Sequence, residues 1–176
     1  LLTEGGEYEK ILKLCASFRS AFDYLAVATP MLSNKQDIYT VASFIHSAYP
    51  LHEDEALLLM GHGTSGSDNE SLCALAAALQ NKDSRCYLAS LIGEPDFSQT
   101  LQCILNAGFQ KVTLAPLMLT AGTHAVKHLA GCSDSSWQNQ CVAAGLTVTC
   151  NLTGLGEYPE IRELYLQHLS ACIPEK

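Results

Sequence analysis

Short, uniformly apolar runs alternate with helical patterns along this chain, and that alternation limits its possible folds more than any other feature. The candidate strands are Tyr24–Ala28, Ala56–Met60, Cys86–Ala89, Lys111–Ala115 and Leu146–Asn151. Most of these runs lack polar alternation, which predicts strands that are buried on both faces, as in a parallel sheet.

Helical patterns fill the intervals between these runs. The candidate helices are Glu7–Arg19, Asp37–Ala48, Asn69–Gln80, Phe97–Ala107, Ser135–Ala144 and Pro159–Leu169. Pro159 suits a first helical turn, and Gly108 and Gly145 follow helix ends, where a left-handed residue is favoured. Repeated β-α units predict an α/β fold, namely a doubly wound, mainly parallel sheet with helices on both faces. Ligands of such sheets bind at the carboxyl ends of the strands.

The first predicted helix has no strand before it, which is unusual for a doubly wound domain. We therefore expect residues 1–20 to be a linking helix that ends an absent first lobe, and residues 21–176 to form one α/β lobe. A chain of 176 residues is long enough for about one domain with a substantial core.

Charge and hydropathy exclude several classes of protein. The chain has 10 basic and 18 acidic residues, a formal net charge of −8, so we expect no general nucleic-acid binding. No apolar run approaches the roughly 20 residues that span a bilayer, and no signal peptide is recognisable. We expect a cytoplasmic protein without a membrane partner, although the chain begins with Leu1 and the start of its parent is not visible.

The eight cysteines are scattered, with no C-x-x-C pair that would indicate a zinc knuckle or a redox motif. Several occupy positions where a small core residue would fit, such as Cys73 between Leu72 and Leu75. We predict reduced, buried, structural thiols.

Two histidines follow predicted strands. His62 lies between Gly61 and Gly63, before Thr64, and such glycines permit a sharp turn and close approach of a ligand. A turn histidine that caps local backbone is the alternative. His124 follows the Lys111–Ala115 strand and lies beyond Gly122. Two imidazoles at the ends of strands of one sheet predict a shared crevice, where neutral imidazole binds transition metals or accepts protons.

Three further features carry weaker signals. His128 lies four residues beyond His124, so the two share a helix face and either form a metal-binding pair or are incidental. Glu94 follows the third candidate strand and is either a third metal ligand or a solvated loop carboxylate. Gly154-Leu155-Gly156-Glu157 is a candidate anion-binding turn, but it is not a dinucleotide-binding fingerprint.

Together these motifs resemble the anaerobic cobalt chelatases that act on sirohydrochlorin, within the class II chelatases. The resemblance keeps the family's order over nearly the whole chain and lies in residues 6–8, 29–32, 37, 58–64, 112–125, 129–131, 135–137 and 154–157, ending near His168. It implies the second of two similar α/β lobes that face a tetrapyrrole cleft. A missing N-terminal lobe, or a second copy in a homodimer, would complete that cleft.

The resemblance also implies the site and its chemistry. His62 and His124 match the family's metal-binding histidines and would act as ligands and proton acceptors. The metal is a substrate, most simply cobalt, and no organic cofactor is expected. Gly61, Gly63, Thr64, Gly122 and Lys127 are the expected contacts of the tetrapyrrole.

The chain departs from the family pattern near the metal. The family's glutamate aligns with Ile92, and Glu94 is an uncertain substitute two residues later, on the same side of an extended segment. Lys127-His128 stands where the family has Asn-Asp. The leading prediction is insertion of cobalt(II) into sirohydrochlorin on the anaerobic cobalamin route. The alternatives are a non-catalytic metal- or tetrapyrrole-binding protein on this fold, and a chelatase for iron or nickel.

Overall fold

The computed structural model describes residues 1–64 and 69–174, and its centre is a parallel sheet of four strands in the order β2-β1-β3-β4. The strands are β1 (Glu55–Gly63), β2 (Cys86–Ile92), β3 (Lys111–Pro116) and β4 (Thr147–Cys150). All three neighbouring pairs are parallel, as the uniformly apolar runs predicted.

The described residues include six α-helices, two of them before the first strand. They are α1 (Gly6–Ser17), α2 (Lys35–Ala48), α3 (Glu70–Lys82), α4 (Phe97–Asn106), α5 (Trp137–Ala143) and α6 (Pro159–Ala171). Side chains just outside the helices cap them, since Asn34 accepts a hydrogen bond from the Asp37 backbone N–H, and Asp96 does the same for Gln99. Pro159 opens α6, and Gly108 and Gly145 have positive φ, as predicted.

Alternate residues of β1 enter two separate cores, which explains why this strand is apolar throughout. Leu57 and Leu59 pack with α2, α3 and α6, whereas Leu58 and Met60 pack with α4 and α5 on the opposite face. Helices therefore cover both faces, and the doubly wound prediction is confirmed. Among the described residues no helix is both long and apolar enough to cross a bilayer.

The segment Tyr24–Ala28 is not a strand, so that prediction was wrong. It is extended but pairs with neither edge of the sheet, β2 or β4. The residues after it are instead fixed by side chains. The His168 Nδ1 lies 2.9 Å from the Thr29 carbonyl oxygen, and the His168 Nε2 lies 3.0 Å from the Asp37 carboxylate.

The prediction of buried cysteines was right for two of the eight. All eight are free thiols, but only Cys86 and Cys141 are buried, and Cys73 is exposed. Leu72, Leu75 and Leu79 occupy the inner face of α3, and Cys73 lies one position further round the helix, on its outer side.

The strand order fixes where a ligand can bind. The chain leaves β1 for β2 on one side and later crosses to β3 on the other side, so the connections diverge at the carboxyl ends of β1 and β3. This divergence is the topological switch point at which open α/β sheets bind ligands. His62 lies at the end of β1, and His124 follows β3.

Candidate functional site

The end of β1 holds His62 between two constrained glycines. Gly61 and Gly63 are buried and pair with Ser90 and Ile92 of β2, whereas the His62 side chain is exposed. Gly63 has φ +69°, and a Cβ there would lie 2.0 Å from the Ile92 carbonyl oxygen. Only glycine fits this position, so the backbone that carries His62 is held against β2.

The tautomer of His62 follows from one hydrogen bond. Its Nδ1 lies 2.9 Å from the carbonyl oxygen of Gly63. A carbonyl oxygen only accepts, so Nδ1 carries the proton and donates, which leaves the Nε2 lone pair available for a metal ion. The bond to local backbone that the sequence suggested as an alternative to function is present, and it leaves Nε2 available for a ligand.

Asn69 fixes the loop that follows His62, and the sequence analysis did not identify this role. The Asn69 Oδ1 accepts from the Thr64 backbone N–H at 2.9 Å, and its Nδ2 donates to the Ile92 carbonyl oxygen at 3.0 Å. The residue is 4% exposed. It therefore connects the G-H-G-T segment to the end of β2. The only local signal was an asparagine at a helix start, which ordinarily indicates a helix cap.

His124 stands at the start of a π turn, Ala125–Leu129. The Ala130 N–H donates to the Ala125 carbonyl oxygen at 3.0 Å, a bond across five residues. Ala125 and Leu129 are buried and anchor the turn, so Lys127 and His128 between them are exposed. Such π turns occur frequently at functional sites, and propensity alone does not predict them.

The structure brings three imidazoles together. The ring centres of His62 and His124 lie 4.8 Å apart with their planes at 87°, and those of His124 and His128 lie 5.4 Å apart at 25°. A metal–nitrogen bond of about 2.1 Å puts a ring centre roughly 3.2 Å from the ion, so two ligands at a tetrahedral angle have centres about 5 Å apart. The edge-to-face pair of His62 and His124 suits an ion shared between the two rings, whereas His124 and His128 are stacked, so their in-plane lone pairs do not meet at one point in this arrangement.

The pKa of His124 lies below its ordinary value of about 6.5. Removal from water is the largest cause, because it penalises the imidazolium form, and positive charge on His62 or His128 adds repulsion. His124 is therefore neutral near pH 7, the state in which imidazole binds a metal or accepts a proton.

The Glu94 carboxylate is engaged locally, and Ile92 has no carboxylate to offer the histidines. The Glu94 Oε2 accepts from the Asp96 backbone N–H at 2.9 Å, and Glu94 borders a different surface cavity, beside Tyr87 and Cys103. Ile92 is 43% exposed. Across residues 1–64 and 69–174, no three His, Cys, Asp or Glu side chains converge as a ready-made metal site.

A cavity of about 320 Å³ adjoins His62. Its lining combines the N-terminal segment 1–8 with Gly63 and Thr64 at the end of β1, Leu72 of α3, and Met118 and Leu119 after β3. The walls are mostly apolar, and His62 is the imidazole among them. Such a cavity suits the face of a flat, largely apolar ring.

The turn at Gly154–Glu157 is not an anion site, so that interpretation was wrong. The N–H groups of Leu155 and Gly156 donate to the Met118 and Leu119 carbonyl oxygens, and the N–H of Gly154 donates to Glu157 Oε1. These donors are already used. The turn instead holds the segment after β3 in place, and a Cβ on Gly154 would lie 2.7 Å from the Leu119 carbonyl oxygen.

The remaining predicted contacts lie around the same crevice with different availability. Gly122 and Lys127 are exposed beside His124. The Thr64 N–H is taken by Asn69, so it is not a free donor for a substrate.

The sequence profile of the family described as cobalt chelatase (CbiK) matches residues 1–174. This chain belongs to the cobalt chelatase family. Two curated relatives are similar to this member of the family over nearly its whole length. It is 30% identical over 173 residues to the sirohydrochlorin cobaltochelatase of Salmonella typhimurium, covering 98% of this chain and 66% of the relative. It is 29% identical to the sirohydrochlorin cobaltochelatase CbiKC of Nitratidesulfovibrio vulgaris, covering 96% of this chain and 61% of that protein. The chain thus spans under two thirds of the relatives' length.

Solved structures agree on the fold of this cobalt chelatase family member. A cobalamin biosynthesis CbiX protein of Marinobacter aquaeolei superposes with a TM-score of 0.53 at 22% identity, covering 66% of this chain and 98% of that one. SirB of Bacillus subtilis, solved with Fe³⁺, superposes with a TM-score of 0.59 at 13% identity, covering 98% of this chain and 69% of SirB.

Proposed function

We propose that this protein inserts cobalt(II) into sirohydrochlorin, as part of anaerobic cobalamin biosynthesis. The observation that carries the proposal is the 4.8 Å separation of the His62 and His124 rings at the switch point of the sheet. Membership of the cobalt chelatase family and two relatives named sirohydrochlorin cobaltochelatase support it.

His62 and His124 hold the metal substrate in this proposal. The Nδ1–H of His62 is bound to the Gly63 carbonyl oxygen, so Nε2 is its donor atom. Imidazole suits cobalt, nickel and iron(II), and the few protein ligands present leave the ion free to transfer to the macrocycle. The reaction inserts one divalent ion and releases two pyrrole protons. As the ion passes to the macrocycle, each histidine recovers the lone pair that held it, so His62 and His124 accept the two protons, and such general base catalysis contributes roughly 10²–10⁴-fold in rate.

The cavity beside His62 would receive the macrocycle. Its apolar walls, Leu72, Met118 and Leu119, suit the face of a tetrapyrrole. The net charge of this chain is −8, so the carboxylates at the rim of sirohydrochlorin require a local cation. The exposed Lys127 within the π turn supplies that positive charge. Gly61, Gly63 and Gly122 keep the backbone of the crevice free of side chains.

A second lobe completes the cleft in this proposal. None of the α1 residues is buried, and Ile11, Leu12 and Leu14 of this helix are exposed. Residues 1–20 therefore serve as the link to a first lobe, with residues 21–176 as the second lobe. A longer parent protein or a second copy of this chain supplies the missing half. The first two residues are nevertheless tied to this lobe, since the carbonyl oxygens of Leu1 and Leu2 accept from Met31 and Leu32.

The eight free thiols suit the reducing cytoplasm, and we assign the reaction to that compartment. Cobalt is the metal we propose, with iron and nickel as alternatives for the same imidazoles. A non-catalytic protein that binds metal or tetrapyrrole is the second candidate function. One observation favours it: Ile92, at the family's glutamate position, adds no carboxylate to the site.

The proposal is tested by following the absorbance of sirohydrochlorin with Co²⁺ in the presence of this chain. Metallation faster than the uncatalysed rate supports the enzyme, and competition with Fe²⁺ and Ni²⁺ identifies the preferred metal. Ile92→Glu restores the family carboxylate and is expected to strengthen metal binding. Tight binding of Co²⁺ or sirohydrochlorin without any metallation would instead establish the non-catalytic candidate.

A further inference from the structure

His128 is the third imidazole at the crevice, and neither the relatives' names nor the family's two-histidine pattern assigns it a role. Its ring centre lies 5.4 Å from that of His124, which in turn lies 4.8 Å from His62. His124 is therefore shared between two imidazole pairs. Both separations are close to the roughly 5 Å expected for two ligands of one ion. The His124 and His128 rings are stacked, so the His128 ring has to turn before its lone pair meets an ion bound to His124.

The π turn explains how His128 reaches this position. Its buried ends, Ala125 and Leu129, leave the side chains between them outside the core. A spacing of four residues within this turn places His128 beside His124, with the two rings inclined by only 25°. Across residues 1–64 and 69–174, the His128 side chain makes no hydrogen bond that would hold it away from an incoming ion.

The site needs a third ligand. Among the described residues, no three His, Cys, Asp or Glu side chains are already arranged around one point, and β2 carries Ile92 at the family's glutamate position. A catalytic site for a borderline metal commonly has three protein ligands and one open position, and three imidazoles form such a set. The exposed His128 ring turns about its side-chain torsions without disturbing the core, so it can close on an ion shared with His124.

We propose that His128 is a third ligand to the metal substrate, so that the chain receives a borderline divalent cation on His62, His124 and His128. The proposal deepens the proposed function, because it rests on His62 and His124 binding the metal. It also gives the ligand set a chemical character: three neutral donors leave the bound ion with its full double positive charge, whereas a carboxylate would reduce that charge.

Co²⁺ binding without any tetrapyrrole tests the proposal. We would titrate Co²⁺ into the chain, His128→Ala and His128→Asn, with His52→Ala as the matched control, since His52 is an exposed histidine in the loop before β1. We expect both His128 variants to bind Co²⁺ about tenfold or more weakly, and His52→Ala to bind it like the unmodified chain. Unchanged affinity in both folded His128 variants would overturn the proposal.

Paramagnetic NMR of the Co²⁺-loaded proteins separates a ligand from a merely structural residue. Exchangeable imidazole N–H signals, strongly shifted by the metal, count the bound rings. We expect three such signals from the unmodified chain and two from His128→Asn, and two signals from both would overturn the proposal. Because this readout needs no turnover, a chain that binds Co²⁺ on three imidazoles but never metallates sirohydrochlorin would refute the proposed function and leave the ligand assignment standing.

Discussion

At the scale of single residues, the chemistry depends on which nitrogen atoms are free and neutral. The Gly63 carbonyl oxygen fixes the tautomer of His62, and the surroundings of His124 lower the pKa of its imidazole. The first effect directs Nε2 of His62 towards a ligand, and the second favours the neutral His124 ring that binds a metal near pH 7.

The pKa of His124 gives the first prediction. NMR titration of the metal-free chain should show a His124 midpoint below 6.5. In His62→Ala and His128→Ala the midpoint should rise, because a neighbouring positive charge is lost, but only in part, since removal from water is the larger cause. Below that midpoint His124 is an imidazolium, so Co²⁺ affinity should fall as the pH decreases through it. A midpoint above 6.5 in the unmodified chain would contradict this account.

Gly63 gives the second prediction. Alanine there must adopt φ +69°, and its Cβ would lie 2.0 Å from the Ile92 carbonyl oxygen. We expect Gly63→Ala to lower the free energy of unfolding by about 3 kcal/mol or more, measured by urea denaturation. Gly6→Ala is the control, because a Cβ there meets no atom within 4 Å. Equal stability of the two variants would mean that the end of β1 is not held as described.

At the scale of elements, the π turn determines where His124 and His128 lie. The carbonyl oxygen of Lys127, within this turn, lies close to Gly131, and a Cβ on Gly131 would be 2.2 Å from it. The π turn therefore depends on Gly131, which is not one of the proposed metal ligands.

Gly131→Ala is the third prediction. The backbone at Lys127 must move to admit the methyl group, so we expect unfolding to become easier by about 1–3 kcal/mol and Co²⁺ affinity to fall. Val126→Ala is the control on the same turn, since that side chain is 56% exposed and should change neither property. Unaltered Co²⁺ binding in Gly131→Ala would show that the turn does not position the histidines.

Most of the strands and helices were predictable from the sequence. Four of the five strand candidates and all six helices exist, because uniformly apolar runs and helical periodicity report local burial directly. Tyr24–Ala28 was wrong because apolar character alone does not say whether a segment lies beside a strand with which it can pair. Cys73 was wrong because its apolar neighbours in sequence point to a different face of α3.

Contacts between distant segments could not be predicted. The sequence placed His62 and His124 at strand ends, but their 4.8 Å separation depends on the strand order. The bonds from Asn69 to Thr64 and Ile92 join two loops and leave no periodic signal. Glu94 as a metal ligand stays a prediction, and its bond to the Asp96 N–H is the contact observed for it.

At the scale of the whole molecule, helix α1 exposes apolar side chains. α1 has no buried residue, and Leu14 and Phe18 are 61% and 53% exposed. Exposed apolar side chains that follow one another along a helix are typical of an interaction surface. This chain covers 66% and 61% of its two relatives, and that difference in length leaves room for the proposed second lobe.

Association through α1 is the fourth prediction. Light scattering should report a mass that rises above 19.0 kDa with concentration, because a second copy covers the apolar side of α1. Leu14→Glu should remain a monomer while it keeps its Co²⁺ affinity. Lys13→Glu, an equally exposed change on the same helix, should associate like the unmodified chain. A constant mass of 19.0 kDa at every concentration would contradict a homodimer as the second half of the proposed cleft.

In the proposed reaction, His62 and His124 deliver the metal to the macrocycle. The most direct measurement is the rate of Co²⁺ insertion into sirohydrochlorin by the assembled protein, compared among the unmodified form, His62→Ala, His124→Ala and His52→Ala. We expect His62→Ala and His124→Ala each to lower the rate at least about 100-fold, whereas His52→Ala should leave it unchanged. Insertion at the unmodified rate by folded His124→Ala would contradict the account.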